Sequence, residues 1–313
     1  MDFRTKRVRI THRGAVLVVA IVLAAAAAGT DVAQAQMVNP YAGIDWENVQ
    51  TLHSFSHQHG SDPRVFWNMG FGGTEMRFYR LWDEALRSGR QCLGFFVKDH
   101  VFFGRGRNVL LVSSPVTATA REREHEALRA YRDGRFFGLL GALMTDESGQ
   151  PVSPYDKSEF RFTRIAVKEG GNGRPIGIEV SVDGAERTKR PNTQIRFITD
   201  AGVAKVVDDA SALFEFPRDA AGAVACRFVR VEAFAYPTTH LGGRPLTPDA
   251  LAAMNVHEIS RLHDRLGPFT MSDFDPSGTA PIPIVDVIFS QPILVRKKPA
   301  GPHVDRTACA GLQ

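Results

Sequence analysis

From Phe160 to Tyr236 the chain is written in short runs whose side chains alternate between two faces. Phe160-Arg-Phe-Thr-Arg-Ile-Ala-Val167 sets the pattern, and residues 176–182, 194–199, 212–216 and 226–236 repeat it. Period-2 alternation of this kind is the signature of half-buried strands, and Asp183-Gly184 and Ala221-Gly222 are turn signals between them. Several such strands at this spacing predict an antiparallel β-sandwich-like module over residues 151–297. One helix interrupts it: Thr247-Pro248-Asp249 is a helix start, Leu251, Met254, Ile259, Leu262 and Leu266 form its inner face, and Gly267-Pro268 ends it. A last strand runs over 285–295, and residues 298–313 read as a disordered basic tail.

Residues 36–150 have a different rhythm. Phe78, Leu81, Trp82, Ala85 and Leu86 recur at helical spacing before Gly89. Residues 92–97 and 109–112 are wholly apolar runs of the kind found in buried parallel strands. Residues 120–132 predict a charged helix with Ala120, Ala127, Leu128 and Tyr131 inward and Gly134 as its stop, followed by a strand over 136–140. Helices and strands in alternation predict α/β architecture for this part of the chain.

The first 35 residues read as an export signal. Arg4, Lys6, Arg7, Arg9 and Arg13 precede an uninterrupted apolar run from Ala15 to Ala28, and Ala33-Gln34-Ala35 is a small-x-small cleavage site. The run is shorter than the roughly 18 apolar residues of a spanning helix, so no membrane span is expected after cleavage. The whole chain has 38 basic and 34 acidic side chains. Without the five basic and two acidic ones of residues 1–35, 33 and 32 remain, close to neutrality. That balance carries no nucleic-acid footprint. Cys92, Cys226 and Cys309 are too few for a disulfide framework, and the first two lie in apolar runs where a buried free thiol is expected.

The chemistry-bearing residues cluster near the start of the exported part. Leu52-His53-Ser54-Phe55-Ser56-His57-Gln58-His59-Gly60-Ser61-Asp62 holds three imidazoles and a carboxylate. Alternate strand residues share a face, so His57 and His59 can offer two nitrogens to one metal ion, and His53 falls at an even spacing from both. Asp62 stands before Pro63 in a turn context. Asp99 and His100 end an apolar run, where an α/β strand delivers functional residues. Gly104-x-Gly106 has Val109 where a dinucleotide fingerprint needs a third glycine. Glu75 after Gly72-Gly73-Thr74 reads as a helix start, and His257 and His263, six apart on one helix, read as surface residues.

Asn39-Pro-Tyr-Ala-Gly-Ile-Asp-Trp46, followed by His57-Gln-His59 and Asp62, resembles the opening of the PHP-domain (polymerase and histidinol phosphatase) proteins, in particular their exported metallohydrolase-like members. Arg80-Leu-Trp-Asp-Glu-Ala-Leu-Arg-Ser-Gly89 and Gly94-Phe-Phe-Val-Lys-Asp99-His100 resemble the late part of the same domain. Asn108-Val-Leu-Leu-Val112 and Phe289-Ser-Gln-Pro-Ile293 continue the similarity. The resemblance implies a β/α barrel holding divalent metals at its strand ends, with hydrolysis of phosphate or related esters. His57 and His59 match its first metal motif, and Asp99 and His100 match the late one loosely. Asp62 is followed almost at once by Phe66-Trp67-Asn68, which resembles a segment normally far downstream. The middle ligands have no counterpart here, so the expected barrel is truncated.

The sequence therefore predicts a truncated PHP-like β/α barrel portion over 36–150 and a C-terminal antiparallel β-sandwich-like module. The expected function is that of an exported hydrolase of a small-molecule ester. His57, His59, Asp99, His100 and His53 are the candidate ligands of a divalent metal (zinc, manganese or iron). A non-catalytic extracytoplasmic binding protein on the same scaffold is the alternative. Oligomeric state is not legible.

Overall fold

Phe228 to Tyr236 has no solvent-facing side: every residue of this strand is buried. A strand buried at both parities must be covered on both faces, and the computed structural model shows how. It describes residues 36–54, 56–57, 66–71, 79–98, 106–113, 118–140, 160–185, 191–236, 238, 246–254 and 286–296.

In chain order the strands are β1 (Gln36–Val38), β2 (Gln50–Ser54), β3 (Ser56–His57), β4 (Phe66–Phe71), β5 (Leu93–Lys98), β6 (Gly106–Val112) and β7 (Phe136–Leu140). They continue as β8 (Arg161–Glu169), β9 (Pro175–Asp183), β10 (Asn192–Thr199), β11 (Gly202–Val207), β12 (Ser211–Glu215), β13 (Phe228–Tyr236), β14 (Asp286–Ser290) and β15 (Ile293–Arg296). The helices are α1 (Tyr79–Arg87), α2 (Ala120–Asp133) and α3 (Pro248–Ala253).

Nine strands form one antiparallel sheet, ordered β1-β15-β13-β14-β7-β6-β2, with β10 on the free edge of β13 and β11 beyond it. One face carries Val109, Leu111, Phe137, Leu139, Ile195, Phe197, Val229, Val231, Ala233 and Ala235. These pack against Phe162, Ile165, Ile178, Val180 and Phe214 of a second antiparallel sheet, β12-β9-β8. The other face carries the opposite parity, Leu140, Phe228, Phe234, Tyr236, Val287 and Phe289. It is covered by Trp82, Ala85 and Leu86 of α1, Leu251 of α3 and Phe96 of β5. Leu110, Val112 and Phe136 meet Phe95 and Ala130 of α2 further along that face.

This arrangement corrects the expected fold class. The truncated β/α barrel is not formed: the molecule is mostly β, its sheets are chiefly antiparallel, and among the described strands only β3, β5 and β4 run parallel. The apolar runs of β6 and β7 report burial on both faces, which a central antiparallel strand shares with a parallel one. Strands from both sides of residue 150 join one sheet: β7 pairs with β14, and β1 with β15.

Helix α2 begins in a capping box between Thr119 and Glu122 and ends at Gly134, whose φ of 72° is the left-handed geometry of a glycine cap. Its inner face differs from the expected one. Ala130 is the buried residue, whereas Leu128 is 62 % exposed and Ala120 is on the surface. The helix that begins at Thr247 is shorter than expected: it ends at Ala253, and Met254 is already extended (ψ 135°), while Ile259, Leu262 and Leu266 lie outside the described residues. Cys92 and Cys226 are free and buried, and burial, helped by Asp200, pushes the Cys226 thiol up to about 11.

β14 and β15 are one strand broken by a bulge. Glu232 pairs with Phe289 and Val229 with Ile293, so three steps along β13 answer four along the closing strand. Ser290 fills the gap: its Oγ accepts from the Val231 N–H at 2.8 Å and donates to the Gln291 carbonyl at 3.0 Å. Tyr41, just after β1, closes the same region. Its hydroxyl donates to the Phe136 carbonyl at 2.9 Å and accepts from the Gln291 N–H at 2.7 Å.

Burial holds the Tyr41 hydroxyl protonated far above the ordinary tyrosine range, against the opposing pull of the Gln291 N–H. A raised native pKa stabilises the fold fully below the unfolded value, about pH 10, and that contribution drains away as pH climbs toward the native one. Tyr41→Phe leaves the buried Gln291 N–H without its acceptor and is expected to cost about 1–3 kcal/mol in urea denaturation. The variant should also flatten the loss of stability above roughly pH 10. An unchanged alkaline slope would show that Tyr41 is not its source.

Candidate functional site

The parallel unit β4–α1–β5, with β3 on the far side of β5, is where strand ends could deliver chemistry. In open parallel sheets, ligands bind outside the carboxyl ends of the strands. Ser56 pairs with Val97 and His57 with Lys98, while Phe71 at the end of β4 also pairs with Val97. The three strands therefore finish at one level. His59 follows two residues after His57, and Asp99 and His100 follow directly after Lys98.

β5 is fixed by its neighbours. Over Leu93–Phe96 its edge facing away from β4 has no strand partner among the described residues, and two buried carboxamides from the nine-stranded sheet take that place. Gln291 accepts from the Gly94 N–H at 2.9 Å and donates to the Gly94 carbonyl at 2.8 Å. Asn108 does the same at Phe96, at 2.8 and 2.9 Å, and donates to the Tyr131 hydroxyl at 3.1 Å. Each side chain copies the donor–acceptor pair of a backbone neighbour, so no buried polar group of Gly94 or Phe96 is orphaned.

Helix α1 is pinned by charge. The Arg230 guanidinium on β13, 1 % exposed, donates to both carboxylate oxygens of Asp83 at 2.6 and 2.7 Å and to Glu232 at 2.9 Å. It also lies 5.2 Å from the centre of the Trp82 ring, whose Nε1 donates to the Cys92 carbonyl at 3.1 Å. On the neighbouring strand β10, Arg196 donates to the Leu251 and Met254 carbonyls at the end of α3, and its guanidinium sits over Phe234.

Of the five candidate ligands, His57 lies at the end of β3, beside Lys98. His53 belongs to β2 and pairs with Val109, which places it in the nine-stranded sheet and not in the sheet of His57. His59, Asp99 and His100, together with Asp62, Glu75, His257 and His263, lie outside the described residues. No group of three or more metal-ligating side chains occurs among the described residues. The expected donor set of imidazoles and one carboxylate is the nitrogen and oxygen set of hydrolytic zinc and iron sites; of it the register places His57, beside Lys98. Among the described residues no helix is long and apolar enough to cross a membrane.

The residues that hold this region in place were not singled out from the sequence. Asn108 and Gln291 each interrupt an apolar strand with a carboxamide, and that is a usable sign of a buried, satisfied polar group. Comparison with family models, with curated proteins and with solved structures returns no match.

Proposed function

We propose that the protein is an exported metal-dependent hydrolase of a phosphate or related ester, with its metal at the carboxyl end of the β3–β5–β4 sheet. What supports the reading is the parallel register that sets His57 beside Lys98, the residues that Gln58-His59 and Asp99-His100 follow in the sequence. The motif resemblance supplies the chemistry of this reading; the barrel is not part of it. His57 and His59 would hold the ion, with Asp99 and His100 as the second contribution. When bound, a divalent ion supplies a water acidified to roughly pKa 7 and polarises the ester oxygen. The chain's part is to hold the supporting sheet: Asn108 and Gln291 fasten β5 to the nine-stranded sheet, and Arg230 of β13 fastens α1.

One observation favours the second reading, a non-catalytic binding protein. Three parallel strands offer fewer ends than a barrel, so fewer ligands can converge there.

Elemental analysis of the chain over residues 36–313 separates these readings. Zinc, manganese or iron at near one equivalent is expected, lost both in His57→Ala/His59→Ala and in Asp99→Ala/His100→Ala, with metal-dependent turnover of an aryl phosphate or carboxylic ester. Metal without turnover supports the binding reading. No metal after reconstitution sinks the hydrolase.

A further inference from the structure

The nine-stranded sheet begins at Gln36, the residue that directly follows Ala33-Gln34-Ala35. Cleavage after Ala35 turns Gln36 into the amino terminus and leaves the first sheet residue with a free α-amine. The register is antiparallel and short: Gln36 pairs with Arg296, Met37 with Val295 and Val38 with Leu294. The new amine is thus placed on the strand partner of Arg296, which Lys297 and Lys298 follow. An α-amine, with an ordinary pKa of about 7.7–8.0, is largely protonated at neutral pH. Like charges at directly paired strand positions are destabilising.

Glutamine is the residue that can remove this charge by itself. We propose that Gln36 of the exported chain is converted to pyroglutamate, a modification site at the start of β1; the proposal rests on the export reading of residues 1–35 and not on the metal site. The α-nitrogen attacks the side-chain carbonyl carbon Cδ. The N–Cδ bond forms, the Cδ–Nε2 bond breaks, and Nε2 leaves as ammonia with the proton lost by the α-nitrogen. Atoms and charge balance without an oxidant, reductant or co-substrate. The lactam keeps the Gln36 carbonyl and leaves the Met37 amide unchanged, so the two residues keep their places opposite β15. Met37 remains packed against the core shared by the two antiparallel sheets.

The test is the mass of the amino-terminal peptide of the full chain recovered from the exported fraction of the producing cells. The expected peptide begins at residue 36, is one ammonia lighter than its linear form, and resists stepwise amino-terminal degradation until pyroglutamyl aminopeptidase is added. A Gln36→Ser chain processed at the same bond should be open to degradation without the enzyme. A peptide that begins at Gln36 with a free amine overturns the modification and leaves export standing. A chain that retains residues 1–35 overturns both.

Discussion

Arg230→Met is expected to lower the unfolding free energy by about 3–5 kcal/mol in urea denaturation, the largest single-residue effect anticipated in this molecule. The guanidinium is fully enclosed and holds two carboxylates, Asp83 from α1 and Glu232 from its own strand. Removing it takes the guanidinium away from a buried carboxylate, Glu232, and a half-buried one, Asp83, on the face where α1 packs. For a domain whose whole stability is about 5–15 kcal/mol, that is a substantial fraction. Replacing all three groups with apolar residues (Asp83→Leu, Arg230→Met, Glu232→Leu) should recover most of the loss, because the carboxylates that the guanidinium held are removed with it. A single Arg230→Met variant as stable as the parent would show that the triad is not what holds α1 on β13.

Asn108→Ala and Gln291→Ala are the second pair of expected large effects. Each leaves one N–H and one C=O of β5 buried and unpaired, at about 1–3 kcal/mol for each group. The two sites lie two residues apart on one strand edge, so their costs should not add fully in the double variant. Amide hydrogen exchange gives the sharper readout: Phe96 should lose protection in Asn108→Ala, and Gly94 in Gln291→Ala. With the metal site as proposed, both variants should also weaken metal binding without touching a proposed ligand, because Asp99 follows β5 directly in the sequence. Full protection of both amides in the variants would mean that another group satisfies β5.

What the sequence disclosed and what it hid follow from the range of each signal. Helix α2 and strands β7, β8, β9 and β10 were legible to within a residue or two, because periodicity and stop signals such as Gly134 are written locally. Strand direction is not written locally. Val109–Val112 and Phe136–Leu140 are apolar at both parities, and nothing in four or five such residues tells an antiparallel neighbour from a parallel one. The partners that decide it lie elsewhere in the chain: β2 and β7 for β6, and for β7 also β14, which follows only after the second antiparallel sheet. Leu128 misled because an apolar side chain at helical spacing need not face the core when Ala127, Ala130 and Tyr131 already fill the contact. β11 was missed because four of its six residues face solvent at an edge, where alternation is not enforced. For the proposed site, local reading supplied the candidates, of which only His57 and His53 lie among the described residues. The carboxamides that hold β5 were legible only as polar interruptions, since their partners come from the far side of the sheet.

The closing strand, residues 286–296, sets the order in which the molecule can form. It touches β1, β7 and β13, and among the described strands it is the last to leave the ribosome. Until it arrives, β7 and β13 each present an unpaired apolar edge, and β1 has no partner among the described strands. Pairing over such separations makes folding slow, and the waiting edges are open to association with other chains. On the export reading proposed for residues 1–35, that delay would help keep the chain unfolded during delivery. The sheet can close only once residues 286–296 are available to insert between β1 and the strands of the middle of the sequence.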